Sequence, residues 1–69
     1  MQIINSHELG KLIRSSRKKA KLSQSQLADA SGIGERFIRE LEQGKPTCQL
    51  DKALYVARML GIKFEVILP

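Results

Sequence analysis

Residues 22–44 carry two short helical patterns separated by a glycine-bearing turn, and few folds accommodate that arrangement. In the first pattern Leu27 and Ala28 face inward. In the second, Phe37, Ile38 and Leu41 fall at the i, i+1, i+4 spacing of a half-buried helix. Ser31-Gly32-Ile33-Gly34 makes the turn, with Gly32 free to take a positive φ and Ile33 placed to anchor both helices. Ser23 with Gln26 three residues on is a capping-box start for the first helix, which ends near Ala30. The second runs from about Glu35 to Gln43, with Gly34 at its N-cap and Gly44 as its stop.

Two helices joined by a three- or four-residue turn containing glycine have the layout of a helix-turn-helix, whose second helix can enter the DNA major groove. The charge agrees with a polyanionic partner: 12 Lys and Arg against 7 Asp and Glu give a formal +5. Phe37, Tyr55 and Phe64 are the only aromatic residues, too few and scattered for an RNA-stacking platform. At 69 residues the chain is one small domain with a modest core, of the size often completed by a disulfide, a metal or a second subunit. A single cysteine, Cys48, and a single histidine, His7, exclude an internal disulfide and offer no zinc site. A homodimer is therefore expected, with no cofactor and no metal. With no signal-peptide or membrane-spanning pattern, a cytoplasmic location and no membrane partner are also expected.

The flanks complete a mainly α domain. Residues 1–5 are a short arm or strand. Asn5 or Ser6 caps a first helix reaching about Lys21, with Leu9, Leu12, Ile13 and Ala20 near helical spacing and Glu8 in the first turn. Six of the 12 basic residues lie in this helix, including Lys11, Arg14, Lys18, Lys19 and Lys21 on the face opposite the apolar one. They form either a solvated face or a surface near a phosphate backbone. After the loop at Lys45-Pro46-Thr47, a fourth helix starts between Cys48 and Leu50 and ends at Gly61, its core face formed by Leu50, Ala53, Leu54, Ala57 and Leu60. Tyr55, Val56 and Met59 add apolar area that either meets a partner or closes the far side of the core. From Ile62 the period changes to two: Ile62, Phe64, Val66 and Leu68 alternate as in a β-strand. One strand needs a partner, either residues 2–4 or, as favoured here, its copy in a second subunit.

The segments LSQSQLA at residues 22–28, Gly32-Ile33, Ile38 and LEQGK at 41–45 resemble the Cro/repressor (XRE) helix-turn-helix family over most of the chain. GKPT at 44–47, LDK at 50–52, LGI at 60–62 and the final strand make it similar to HipB-type antitoxins. The resemblance implies a four-helix, lambda-repressor-like domain, with helices over residues 6–61 and a dimerisation strand at 62–68. It also implies a homodimer that represses its own operon on double-stranded operator DNA and holds a HipA-type serine/threonine kinase toxin inactive. It places Glu35, Arg36, Arg39 and Glu40 on the exposed side of the recognition helix, and Gln24 at a phosphate-contacting position. It pairs Arg17 with Glu42 as a structural clamp.

The chemistry of those positions is apt. Arg36 or Arg39 can donate two hydrogen bonds to guanine O6 and N7, and Glu35 can accept from cytosine N4. Glu35 and Glu40 are alternatively there to orient the arginines. The second helix opens with Gln24 and Ser25 and no acid, leaving N–H groups available to a phosphate, and Lys45 sits just beyond the recognition helix. Phe37 is read as core rather than as a contact to a thymine methyl. Val56, Met59, Ile62, Phe64, Val66 and Leu68 are the expected dimerisation residues. No Ser/His/Asp set or phosphate-binding glycine loop is present, so an enzyme is not expected. The competing readings are a stand-alone phage-type or housekeeping repressor without a toxin, and a helical adaptor that binds only protein.

Overall fold

The computed structural model describes residues 5–64, which form four helices: α1 (Ser6–Lys19), α2 (Gln24–Ser31), α3 (Glu35–Glu42) and α4 (Leu50–Met59). Each start follows from local chemistry. The Asn5 side chain accepts from the Glu8 N–H at 2.9 Å, and Glu8 complements the positive end of α1. At α2, Ser23 Oγ accepts from the Gln26 N–H while the Gln26 side chain accepts from the Ser23 N–H, so both halves of the capping box are made. Gly34 and Gln49 open α3 and α4 without a side-chain cap.

Three of the helices end in the same way. After α3 the Gly44 N–H donates to Leu41 O and the Lys45 N–H to Glu40 O; after α4 the Gly61 and Ile62 N–H groups donate to Arg58 O and Ala57 O. This double closure requires a left-handed residue, and glycine supplies it at φ 84° and 79°. The same closure ends α1, with the Lys21 N–H on Lys18 O and the Leu22 N–H on Arg17 O, but here Lys21 adopts φ 60°. The helix therefore stops at Lys19 rather than near Lys21, and Ala20, read as part of its apolar side, is exposed.

The core is small. Ile13 of α1, Leu27 of α2, Ile38 and Leu41 of α3, and Ala53, Val56 and Ala57 of α4 are buried, with Leu9, Leu22, Ile33, Phe37 and Leu60 packed around them. Helix α3 packs against both α1 and α2. Gly10 makes the α1 contact possible: a Cβ built there would lie 2.5 Å from Leu41 O and 2.7 Å from Glu42 O. The Ser6 hydroxyl also donates to Gly44 O at 3.0 Å, tying the start of α1 to the end of α3.

Two expectations for α4 change. Leu50, assigned to its core face, is 65% exposed, because it is the first residue of the helix and the inward face begins at Ala53. Val56, assigned to dimerisation, is fully buried in the monomer core and closes its far side; Tyr55 and Met59 point outward. No strand occurs among the described residues. Residues 62–64, the start of the expected strand, run as irregular backbone, Ile62 packed on the core and Phe64 exposed. The rest of that strand, with Val66 and Leu68, and the arm at residues 1–4 lie outside the described residues. None of the helices is long and apolar enough to cross a membrane.

Candidate nucleic-acid interface

Helix α3 is strongly two-sided. Ile38, Leu41 and Glu42 turn inward, Phe37 is half-buried against the core, and Glu35, Arg36 and Arg39 stand in solvent. Ordinary helix geometry explains the split, since residues four apart share a face. The charged side is organised into pairs. Arg36 Nε donates to Glu40 Oε1 at 2.9 Å, and Arg39 Nη2 to Glu35 Oε2 at 3.4 Å, both across one turn. Lys45, in the loop after α3, donates from Nζ to Glu40 Oε2. Glu40 is thus shared by two cations, and the Lys45 and then the Arg36 hydrogen bond hold its carboxyl below the usual carboxylate range.

Of the four residues expected to read bases, Arg36 and Arg39 project as donors. Glu40 has both carboxylate oxygens engaged by the chain's own cations, and Glu35 is the weaker partner of Arg39. Among the described residues Arg36 is held only through Nε, which leaves its two terminal nitrogens free to donate on a side chain 85% exposed. The spacing of Arg36, Glu40 and Lys45 at i, i+4 and i+9 was the signal available for this bridge.

At the inner end of α3, Arg17 and Glu42 form a two-pronged pair. Arg17 Nε donates to Glu42 Oε2 at 2.6 Å and Nη2 to Oε1 at 3.0 Å, and the two side chains are 9% and 3% exposed. Arg17 Nη1 also donates to Leu22 O at 2.7 Å, so this one guanidinium ties the end of α1 to the lead-in of α2 and to the end of α3. The Glu42 hydrogen bond raises the Arg17 pKa further, against the smaller opposing effect of burial.

Gln24, at the start of α2, donates from Nε2 to Glu42 Oε1 at 3.2 Å. Its amide therefore belongs to the clamp, a role that sequence reasoning missed. The remaining faces of α2's start are open: Ser25 is exposed, and the backbone N–H groups of Gln24 and Ser25 have no partner among the described residues. Such N–H groups, with no acid in the first turn, suit an anion. The start of α2 and the side of α3 meet in an open groove of about 790 Å³, lined on one wall by Ser23, Gln24 and Ser25, on another by Glu35, Arg39 and Gln43, and on a third by Lys11 and Arg14 of α1.

Of the expected dimerisation residues within the described region, Met59 and Phe64 are 42% and 43% exposed. Phe64 and Ile62 line a second groove, of about 540 Å³, with Leu54, Arg58 and Lys63 at the end of α4. Cys48 is half-buried in the loop, its thiol pushed up by burial and by Glu40. No group of three metal-ligating side chains occurs among the described residues.

A buried clamp behind two helices, an acid-free helix start and an arginine-bearing helix side define a helix-turn-helix DNA-binding domain. Residues 13–67 match the helix-turn-helix family, and the chain belongs to it. It is a transcriptional-regulator domain and not an enzyme. Among curated proteins it is 44% identical over 62 residues to the uncharacterized HTH-type transcriptional regulator y4mF of Sinorhizobium fredii (strain NBRC 101917 / NGR234), covering 90% of this chain and 82% of that one. Among solved structures it is similar to HipB in its O4 20mer complex, with a TM-score of 0.86, 19% identity, and 97% of this chain and 94% of that one covered. A HipB serine-to-alanine variant in its O2 20mer complex gives a TM-score of 0.87 at 18% identity, covering 97% and 93%. The fold is that of HipB.

Proposed function

We propose that this chain is a homodimeric, sequence-specific repressor that binds operator DNA through α3. We further propose that it is the antitoxin of a HipA/HipB-type pair, which autoregulates its operon and neutralises a serine/threonine kinase toxin. The observation that carries the DNA reading is the pair of exposed arginines on α3, Arg36 and Arg39, the second of which lines one groove with the acid-free start of α2. In this reading the arginines address guanine edges, while Glu40 and Glu35 hold them in extended orientations. Ser25, the N–H groups at Gln24 and Ser25, and Lys45 take phosphates. Gln24 contributes its backbone to the phosphate and its side chain to the clamp.

The antitoxin reading draws on the whole-chain likeness to HipB. The dimer reading draws on the exposed Met59 and Phe64 beside the groove at the end of α4. The test is a band-shift titration on the DNA upstream of the gene, with analytical ultracentrifugation and affinity co-purification from the native host. Preferential binding of a dimer to that DNA, with a HipA-type kinase co-purifying, is expected. The second reading, a stand-alone repressor, draws on the 44% identical relative, an uncharacterized HTH-type transcriptional regulator. Operator binding without any kinase in the co-purified material would establish that second reading, and a chain that bound no DNA would be a protein-only adaptor.

A further inference from the structure

Lys11, Arg14 and Lys18 recur at i, i+3 and i+7 on the exposed side of α1, and Lys19 lies beside them. None of the four makes an ion pair among the described residues, whereas Arg36, Arg39 and Lys45 are each held by an acid. Helix polarity explains Lys18 and Lys19, which sit in the last turn. It does not explain Lys11 and Arg14 in the middle of the helix. Those two share a wall of the groove formed by α2's start and α3, and they also line the concavity along α1 with Ser15, Lys18 and Lys19. The basic side of α1 is therefore continuous with the DNA-facing groove rather than a separate solvated face.

We infer that this side of α1 is a second phosphate track, which follows the duplex backbone outward from the bases read by α3. The inference rests on the DNA-binding reading above. Four unpaired cations on one helix side supply attraction that is independent of base sequence, because phosphates carry no sequence information. Each phosphate neutralised releases condensed counterions, so the track is measurable as a salt dependence.

The experiment compares the full chain with the triple variant Lys11→Gln, Arg14→Gln, Lys18→Gln, on the upstream operator and on random duplex of equal length, across a salt series. The exposed positions leave the core intact, and a thermal melt of the variant checks this. The slope of log affinity against log salt is expected to become shallower by about 5.4 for the six contacts that a dimer loses, at about 0.9 each. The change should be the same on both DNAs, with the ratio of operator to random affinity unaltered. A slope unchanged by the triple substitution overturns the track, and so does a loss confined to the operator. Absence of DNA binding by the unsubstituted chain would instead sink the DNA-binding reading itself.

Discussion

Arg17 and Glu42, 25 residues apart, meet at 2.6 Å and 3.0 Å through two parallel hydrogen bonds in a nearly dry site. The Arg17 guanidinium ties the end of α1 to the end of α3 and to the lead-in of α2. Removing Arg17 leaves the buried Glu42 carboxylate with no cation and only the Gln24 amide donating to it.

Arg17→Ala is expected to destabilise the fold by about 3–5 kcal/mol, because Glu42 would keep its charge without a cation. Arg17→Lys restores the charge but not the two-pronged geometry, and should recover part of the loss. Denaturant unfolding reads both. A loss for Arg17→Ala below about 1 kcal/mol would give the pair the worth of a surface ion pair.

Gly10→Ala should also destabilise, by about 1–3 kcal/mol, although alanine is the better helix former by about 1 kcal/mol. The added Cβ would fall 2.5 Å from Leu41 O, and backbone on a packed helix yields little. A variant as stable as the parent in thermal melts would mean that α1 stands further from α3 than this.

Lys21→Gly should stabilise. A left-handed lysine costs about 1–2 kcal/mol, and the extra freedom of glycine in the unfolded chain gives back about 0.5–1 kcal/mol of that, leaving a net gain of up to about 1.5 kcal/mol. Gly44 and Gly61, which close α3 and α4 in the same way, set the precedent within this chain. An unchanged or lowered melting temperature contradicts it.

The Glu40 carboxyl should titrate below the ordinary range in a carbon-detected NMR series, and Lys45→Met should move it back toward that range. Its depressed value means that its bridges to Lys45 and Arg36 are intact above the usual carboxylate pKa and are lost as pH falls through the lowered one. An unchanged midpoint in Lys45→Met would leave Arg36 alone responsible.

Much of this architecture was legible in residues 22–44, because local rules and packing agree there. Ser23 and Gln26 cap, Gly32 turns, and Ile38 and Leu41 face the core. The readings failed where tertiary context decides. Leu50 fits an apolar stripe by spacing but lies a turn before the helix meets the core, and Val56 looked surplus until the core it closes was assembled. The role of Gly10 is invisible in the helical pattern and emerges only with the carbonyls of Leu41 and Glu42 placed against it. Gln24 kept its place at the start of α2, yet its amide is drawn to Glu42, since a buried carboxylate attracts every nearby donor.

In the proposed complex the outer side of α3 reads bases while the groove around it grips phosphates. Equilibrium titration of Arg36→Ala on the upstream operator and on random duplex, at one fixed salt concentration, tests it most directly. A loss of about 1–3 kcal/mol per half-site on the operator is expected, with little change on random DNA. Equal losses on both would make Arg36 one more phosphate contact and contradict base readout by α3.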